Sequence, residues 1–595
     1  MLRYAGAPQQ IAVALRFMLD EARLARRYVM PALLTLLTSV LFWVLAHWPQ
    51  FGLAAGWRDG FAIFGVCSLL MLVLAPLIQR GHWINTLHLR ALMAQQVRHS
   101  SFVPVTMRMA AKRLRALLGP AVFKLGETVV AGGFPWQWGD FTKGLMVTGQ
   151  PGSGKTTTVL NALLDGFFLM FAGRGGFSAL IQDVQGDFGG KIERLCKTHG
   201  RSADLVIFDI QADPAQAGAS NAAIFNPIDS KDPAAEIAAA LQAASKHLGV
   251  THTDSYFIDA FRMLVTFGIV LLRAGLPEGA VPSIIDLHRL LSELNAYADK
   301  DQKARDTSRP ILYEQLTKRI LKRWPDPDQM PAEVDDAGLY IEQEFLPMPH
   351  RQRAGIMGTV SQLFGELMAE PVRHFLTGKS TISMQDVLEQ GKIYYVHAPL
   401  AANPRLGLIV NTVIKRQFQN AVLRSREKPV PSIYLCDEFH NLFSPGRDGD
   451  SQFFSLSRQA NHANLIAFQN LPLLQQVAKT KAEVMSLLGN CATKIFLRNT
   501  DPETNDFGSS LFGEVVGISV TQSAPADLNG LLRRSARTNY SRSTSKSRVV
   551  PPEAFAKLAV PVNGDPERNY AQAIVHLATR GETERLDLIW KLHPL

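Results

Sequence analysis

Cysteine is scarce: the 595 residues contain four, Cys67, Cys196, Cys436 and Cys491, far apart and never in CxxC spacing. Neither a disulfide scaffold nor a structural zinc site gains support from that pattern, and buried, inert thiols are expected. Acid is scarce at one end. Residues 1–126 hold 3 Asp/Glu against 14 Lys/Arg, whereas the remainder holds 49 against 48. The net charge of +10 therefore belongs to the N-terminal region and is no sign of DNA binding. Internal repeats at periods of about 20–50 residues are absent, which argues against a solenoid. No gross compositional bias exists either: with 47% hydrophobic and 19% charged residues, wholesale disorder is excluded. The chain is too long for one ordinary core, so two or three folded units are expected.

Charge disappears altogether from Tyr28–Trp57 and from Gly60–Gln79. A helix of about 20 apolar residues crosses a hydrocarbon core of about 30 Å, so each stretch suffices to span a membrane. The expected spans are about 28–48 and 60–79, with Trp43, Trp48 and Trp57 as interfacial residue types. The first run is too long and starts too late for a cleaved signal peptide, and a second follows at once. Arg16, Arg23, Arg26 and Arg27 precede the first span. Arg80, Arg90, Arg98, Arg108, Lys112, Arg113 and Arg115 follow the second, while the connecting loop carries only Arg58 and Asp59. Positive-inside bias places both termini in the cytoplasm.

Residues Gly144–Leu160 read GLMVTGQPGSGKTTTVL, an apolar strand entering a glycine-rich turn and then a helix-compatible stretch. Gly149, Gln150, Pro151, Gly152, Ser153, Gly154, Lys155 and Thr156 match GxxxxGK[ST], and Thr157 follows. The glycines let backbone N–H groups turn inward around a polyphosphate, and the helix adds its positive end. Lys155 supplies a mobile charge for the β- and γ-phosphates, and Thr156 a hydroxyl for Mg²⁺. ATP and Mg²⁺ are the expected cofactors.

Such a site also needs a carboxylate at a second strand end. Pro431–Leu442 reads PSIYLCDEFHNL, in which Ile433–Cys436 runs into Asp437 and Glu438. Asp437 is the expected metal partner, and Glu438 the group that orients and deprotonates water. Gln469 ends the strand-like run Asn464–Phe468, where such sites often sense the γ-phosphate; an ordinary polar strand end is the alternative. Arg458, just before that run, is a candidate finger for a neighbouring subunit or else a solvated arginine. Further runs at Phe177–Val184, Leu205–Ile210, Ile393–His397 and Lys494–Leu497 alternate with helical stretches. Together they predict an α/β fold with a mostly parallel, doubly covered sheet.

Between Ile228 and about Glu370 the pattern is helical, notably over Ala234–Gly249 and Phe257–Ala274, and reads as an all-α insertion. Leu531–Arg548 holds six basic residues and no acid among many Ser and Thr, which predicts a flexible loop. Arg533, Arg534, Arg537 and Arg542 are candidate phosphate contacts there, and Tyr540 a stacking residue. A solvated loop is the alternative. Ala571–Leu595 returns to strand character.

In order and motif the chain resembles the TraD/TraG-like coupling proteins of bacterial conjugation and type IV secretion. The resemblance rests on the paired spans, GQPGSGKTT, DVQGDF at Asp183–Phe188 and FNPI at Phe225–Ile228. It continues through CDEF at Cys436–Phe439, AFQN at Ala467–Asn470 and RVVPPEAFAKL at Arg548–Leu558. It implies a RecA-like motor over 119–228 and 371–595, interrupted by the all-α insertion at 229–370 and anchored by 1–118. It further implies a homohexamer in the bacterial inner membrane that drives single- or double-stranded DNA, with relaxase or relaxosome proteins, into a type IV secretion channel. Lys155, Thr156, Asp437 and Glu438 carry over directly, Gln469 and Arg458 by local position. One departure is visible: the family commonly has lysine in a DxKG turn, and here the position is Gln185, which leaves that lysine's contact in doubt. A coupling ATPase for protein effectors and an FtsK-like DNA translocase are the alternatives.

Overall fold

The computed structural model describes residues 123–591 apart from short internal stretches, the longest being 249–254, 301–309, 524–538 and 563–568. The expected spans 28–48 and 60–79 lie outside the described residues, as do Arg533, Arg534 and Arg537. Among the described residues no helix is long and apolar enough to cross a membrane.

The chain divides into two compact units. In the first, Met1–Gln137 with Leu588–Lys591, strands β1 (Phe123–Leu125), β2 (Thr128–Ala131) and β3 (Phe134–Trp136) form an antiparallel sheet. Phe134 and Trp136 meet edge to face with centroids 4.8 Å apart, and the Trp136 indole N–H donates to the Ala131 carbonyl at 3.0 Å.

The second unit, Trp138–Asp587 with Leu592–Leu595, is built on a large sheet. Its first strands are β4 (Leu145–Thr148), β5 (Ser178–Asp183), β6 (Leu205–Asp209) and β7 (Ile393–His397). Then come β8 (Ser432–Asp437), β9 (His462–Phe468) and β10 (Thr493–Phe496). A separate ribbon pairs β11 (Glu514–Ser523) with β12 (Asn539–Arg548), after which β13 (Tyr570–Leu577) and β14 (Glu584–Lys591) close the nine-stranded sheet. Its order is β14-β13-β10-β4-β9-β8-β5-β7-β6. Every pairing from β10 to β6 is parallel, and β13 joins β10 antiparallel. The sequences explain the arrangement. β4, β5, β8, β9 and β10 are buried at every position, as strands covered on both faces must be, whereas β6 at the edge is only partly buried.

The ribbon corrects one expectation. Within the predicted loop Leu531–Arg548, residues Asn539–Arg548 form β12, paired with β11 along its whole length. Ser541, Ser543, Ser545 and Ser547 alternate with Arg542, Thr544, Lys546 and Arg548, a period of two. Loop-like composition hid that strand period.

Helix α1 (Asn161–Phe171) follows β4. Between β6 and β7 the described elements are helical and include α2 (Ala234–Ser245), α3 (Ser255–Gly275), α4 (Ile284–Ala298), α5 (Leu312–Arg323) and α6 (His350–Leu367). Helices α7 (Pro404–Arg424) and α8 (Asp450–Ser457) flank β8 in sequence. α7 packs on α2, and α2 on α3. One apolar core therefore runs from Leu180, Tyr394 and Tyr434 of the sheet through Phe418 to Leu241, Leu264 and Leu291.

Asn226, in the FNPI turn, ties the entry of the helical region to its exit. Its amide donates to the carbonyls of Pro282 at 2.8 Å and Gly378 at 2.7 Å, and its oxygen accepts from Ile228 N–H at 3.1 Å. Asn226→Ala leaves these groups unpaired in a site where Asn226 is 1% exposed. A loss of about 3 kcal/mol follows, read as a lower denaturant midpoint; an unchanged midpoint refutes the tie.

Candidate functional site

Parallel strands share a direction, so the segments that follow β4, β5, β8, β9 and β10 gather at one edge of the sheet. Register sets Asp183 of β5 beside Asp437 of β8, and Thr148 of β4 beside Phe468 of β9 and Phe496 of β10. The glycine-rich turn leaves β4 at this edge. Gly149 permits a close approach: a Cβ there would lie 2.6 Å from Ser153 Oγ and 2.8 Å from Leu497 Cβ. Gly154 has φ 94°, a left-handed conformation that favours glycine. The Gln150 N–H donates to the Arg498 carbonyl at 2.9 Å, and the Ser153 N–H to the Gln150 carbonyl at 3.1 Å. Helical backbone begins at Lys155 with a wide turn, Lys155–Leu160, that continues into α1. Its first N–H groups have no acceptor within the helix and face the turn. Pro151, Gly152 and Thr157 are exposed, so the cradle opens to solvent, while Ser153 Oγ is buried without a hydrogen-bond partner.

Lys155 is 6% exposed; its ammonium donates to the Gly149 carbonyl at 2.9 Å and lies 3.8 Å from Glu438 Oε1. The Thr156 hydroxyl donates directly to Asp437 Oδ2. Burial pushes the Asp437 carboxyl up to about 6, opposed by the Thr156 hydrogen bond and reinforced by the charge of Glu438. Glu438 takes left-handed backbone at φ 50°, uncommon for a residue with a side chain and a concentration of strain at the site. Its own N–H donates to Asp437 Oδ1 at 2.9 Å. Gln469 Nε2 donates to Glu438 Oε2 at 3.2 Å, and the Gln469 carbonyl accepts from Thr148 Oγ1 at 3.0 Å and Asn499 Nδ2 at 2.8 Å. His440 Nδ1 lies 3.4 Å from Glu438 Oε2, but burial and the charge of Lys155 push its pKa down to about 4. It is a neutral neighbour at physiological pH, not an ion-pair partner.

The segment after Glu438 is pinned from below. Lys415 of α7 and Asp450 of α8, both fully buried, pair at 2.8 Å. The Lys415 ammonium also donates to the Leu442 carbonyl and to Ser444 Oγ at 3.1 Å, and lies 5.5 Å from the Phe439 ring centroid.

Lys155, Thr156, Asp437, Glu438 and Gln469 are thus brought together. Arg458 is not: it is exposed and precedes the start of β9, at the edge of the sheet opposite the phosphate turn. Arg542 falls on β12. Sequence reasoning missed one contact, since Gln185 Nε2 donates to Glu438 Oε1 at 3.1 Å. The signal was its place at the end of β5, and strand order was needed to read it. Cys196, Cys436 and Cys491 are buried free thiols.

The donor set fits a magnesium nucleotide. Hard oxygen ligands stand at Thr156 and Asp437, an ammonium at Lys155, N–H groups at the helix start and an orphaned hydroxyl at Ser153. Residues 431–560, which carry Asp437, Glu438, Gln469 and the β11–β12 ribbon, match the family described as the TraM recognition site of TraD and TraG. Over those residues the chain is similar to TraD and TraG. Among solved structures it is similar to the bacterial conjugative coupling protein TrwBdeltaN70, at 16% identity over 80% of this chain and 91% of that one, with TM-score 0.48. TrwB in complex with an ATP analogue, ADPNP, gives 16% identity, 80% and 91% coverage and TM-score 0.49. VirB4 of Thermoanaerobacter pseudethanolicus gives 13%, 76% and 90%, and 0.40. No match was found among curated proteins.

The raised Asp437 pKa costs the fold stability. The folded state keeps the proton to about 6 and the unfolded state to 3.8, so cation-free stability falls as pH rises through that window. Asp437→Asn removes this loss. In EDTA its thermal midpoint equals that of wild type near pH 4 and exceeds it at pH 7.5; equal midpoints at both pH values refute the assignment.

Proposed function

We propose that this chain is a membrane-anchored ATPase that couples relaxase-bound DNA to a type IV secretion channel in conjugation. One observation carries the reading: Thr156 and Asp437, 281 residues apart in sequence, touch beside Lys155 and Glu438. Gly149–Thr157 would hold the phosphates, and Thr156 and Asp437 the Mg²⁺ ion. Bound MgATP supplies an electrophilic phosphorus and a metal that offsets the charge developing on the phosphate oxygens. Lys155 exchanges the Gly149 carbonyl for a phosphate oxygen. Glu438 orients a water and takes its proton, and Gln469 links the end of β9 to that carboxylate. Arg458, at the far edge of its own sheet, serves only a neighbouring subunit, in a RecA-like ring of six.

The N-terminal spans anchor the ring in the bacterial inner membrane with both termini and the motor in the cytoplasm. The segment that resembles a TraM recognition site supports docking of relaxosome proteins. Arg542, with Arg533, Arg534 and Arg537, supplies cationic contacts to DNA phosphates.

The full chain in detergent or membranes hydrolyses ATP, and Lys155→Ala or Glu438→Gln lowers turnover at least a hundredfold while the thermal midpoint holds. Wild-type turnover in either variant refutes the site. Single- or double-stranded DNA raises the wild-type rate, and the stimulation falls steeply with salt. A rate indifferent to DNA at every salt concentration refutes the cargo assignment and favours protein effectors.

A further inference from the structure

An ionised carboxylate only accepts hydrogen bonds, so Glu438 needs donors, and two side-chain amides supply them. Gln185 Nε2 serves Oε1 at 3.1 Å and Gln469 Nε2 serves Oε2 at 3.2 Å. One amide comes from the end of each strand that flanks β8, β5 on one side and β9 on the other. Lys155, at 3.8 Å from Oε1, is farther than either.

Both amides are aimed by fixed backbone. The Asp183 carboxylate accepts from the N–H groups of Gln185 at 3.1 Å, Gly186 at 2.9 Å and Phe188 at 2.6 Å, and from the Tyr395 hydroxyl at 3.2 Å. Gly186 has φ 91°, and a Cβ there would lie 3.1 Å from His397 Nε2, so the turn has little room to shift. Gln469 is fixed through its carbonyl by Thr148 and Asn499. Buried groups set the Asp183 turn, whereas Gln185 itself is exposed and contributes little packing.

We propose that Gln185 is a positioning residue for Glu438, forming with Gln469 a two-amide clip that holds the carboxylate ready to orient water. The inference rests on the ATPase reading above. Without the Gln185 donor, Oε1 is free to close on the Lys155 ammonium, which misplaces the carboxylate.

Steady-state ATP hydrolysis by the full-length protein tests the clip. Gln185→Met keeps length and bulk but has no donor: kcat falls roughly tenfold. The KM for ATP, the affinity for a non-hydrolysable ATP analogue with Mg²⁺ and the thermal midpoint all stay near wild type. Gln185→Lys restores a donor and recovers kcat to within about threefold. In a Glu438→Gln background, Gln185→Met produces no further loss. Wild-type kcat in Gln185→Met, a rise in KM with kcat intact, a Lys variant as slow as the Met variant, or additive losses in the double variant each overturn the clip. If Glu438→Gln itself turns over normally, or wild type does not hydrolyse ATP, the ATPase reading fails and the clip with it. An inactive Glu438→Gln beside a fully active Gln185→Met removes the clip alone.

Discussion

The hydroxyl of Thr156 donates to the carboxylate of Asp437 across 281 residues of sequence. A parallel sheet makes such a meeting routine, because strands that run in one direction deliver their following loops to one edge. β4 delivers the phosphate turn, β8 the carboxylate pair, β9 and β5 the two glutamines, and β10 the Arg498 carbonyl that steadies Gln150. If β4 and β8 were not within two places of each other in the sheet, none of these groups could act on a common ligand.

The same edge is where the fold gives up stability. Asp437 is buried with its pKa raised, Glu438 occupies left-handed backbone, and Ser153 Oγ lacks a partner. Arrangements of this kind persist only when their surroundings over-determine them. Here the surroundings are specific. The buried Lys415–Asp450 pair clamps the segment just after Glu438, and Asp183 gathers three backbone N–H groups into the turn that carries Gln185. A buried ion pair adds little net stability, but removal of one partner leaves an uncompensated charge, so such a pair enforces one geometry. That suits a segment that holds a carboxylate in left-handed backbone.

The helical region is not an independent bead on this sheet. Its core is continuous with that of the sheet through α7, whose Gln417 amide donates to the Pro227 carbonyl at 2.8 Å in the FNPI turn. Asn226 binds the two ends of the excursion to each other, so a long insertion enters and leaves between β6 and β7 without splitting the sheet. The residues that pin the junction are polar and buried, whereas those that fill the interior are apolar, aromatic and aliphatic alike. Geometry at the joint and bulk in the core are separate demands.

Much of this was legible in one dimension. The strand runs around Leu145–Thr148, Ile393–His397 and Ile433–Cys436 are apolar because both faces of a parallel sheet are covered, and burial follows composition. The phosphate turn was legible because glycines, a lysine and a threonine at fixed spacing serve a local geometry. Asp437 and Glu438 stood out as paired acids at the end of such a run. β12 was misread because serine, arginine and lysine look like loop, and the two-residue period that decides strand conformation was overruled by composition. Gln185 was noted for the lysine it replaces, not for what it touches. Sequence alone determined which apolar segments are strands of the sheet and which side chains carry charge, since these depend on neighbours a few residues away. Tertiary structure alone decided that Gln185, Gln469, Lys155 and Glu438 meet, because strand order brings them together, and strand order depends on contacts hundreds of residues apart.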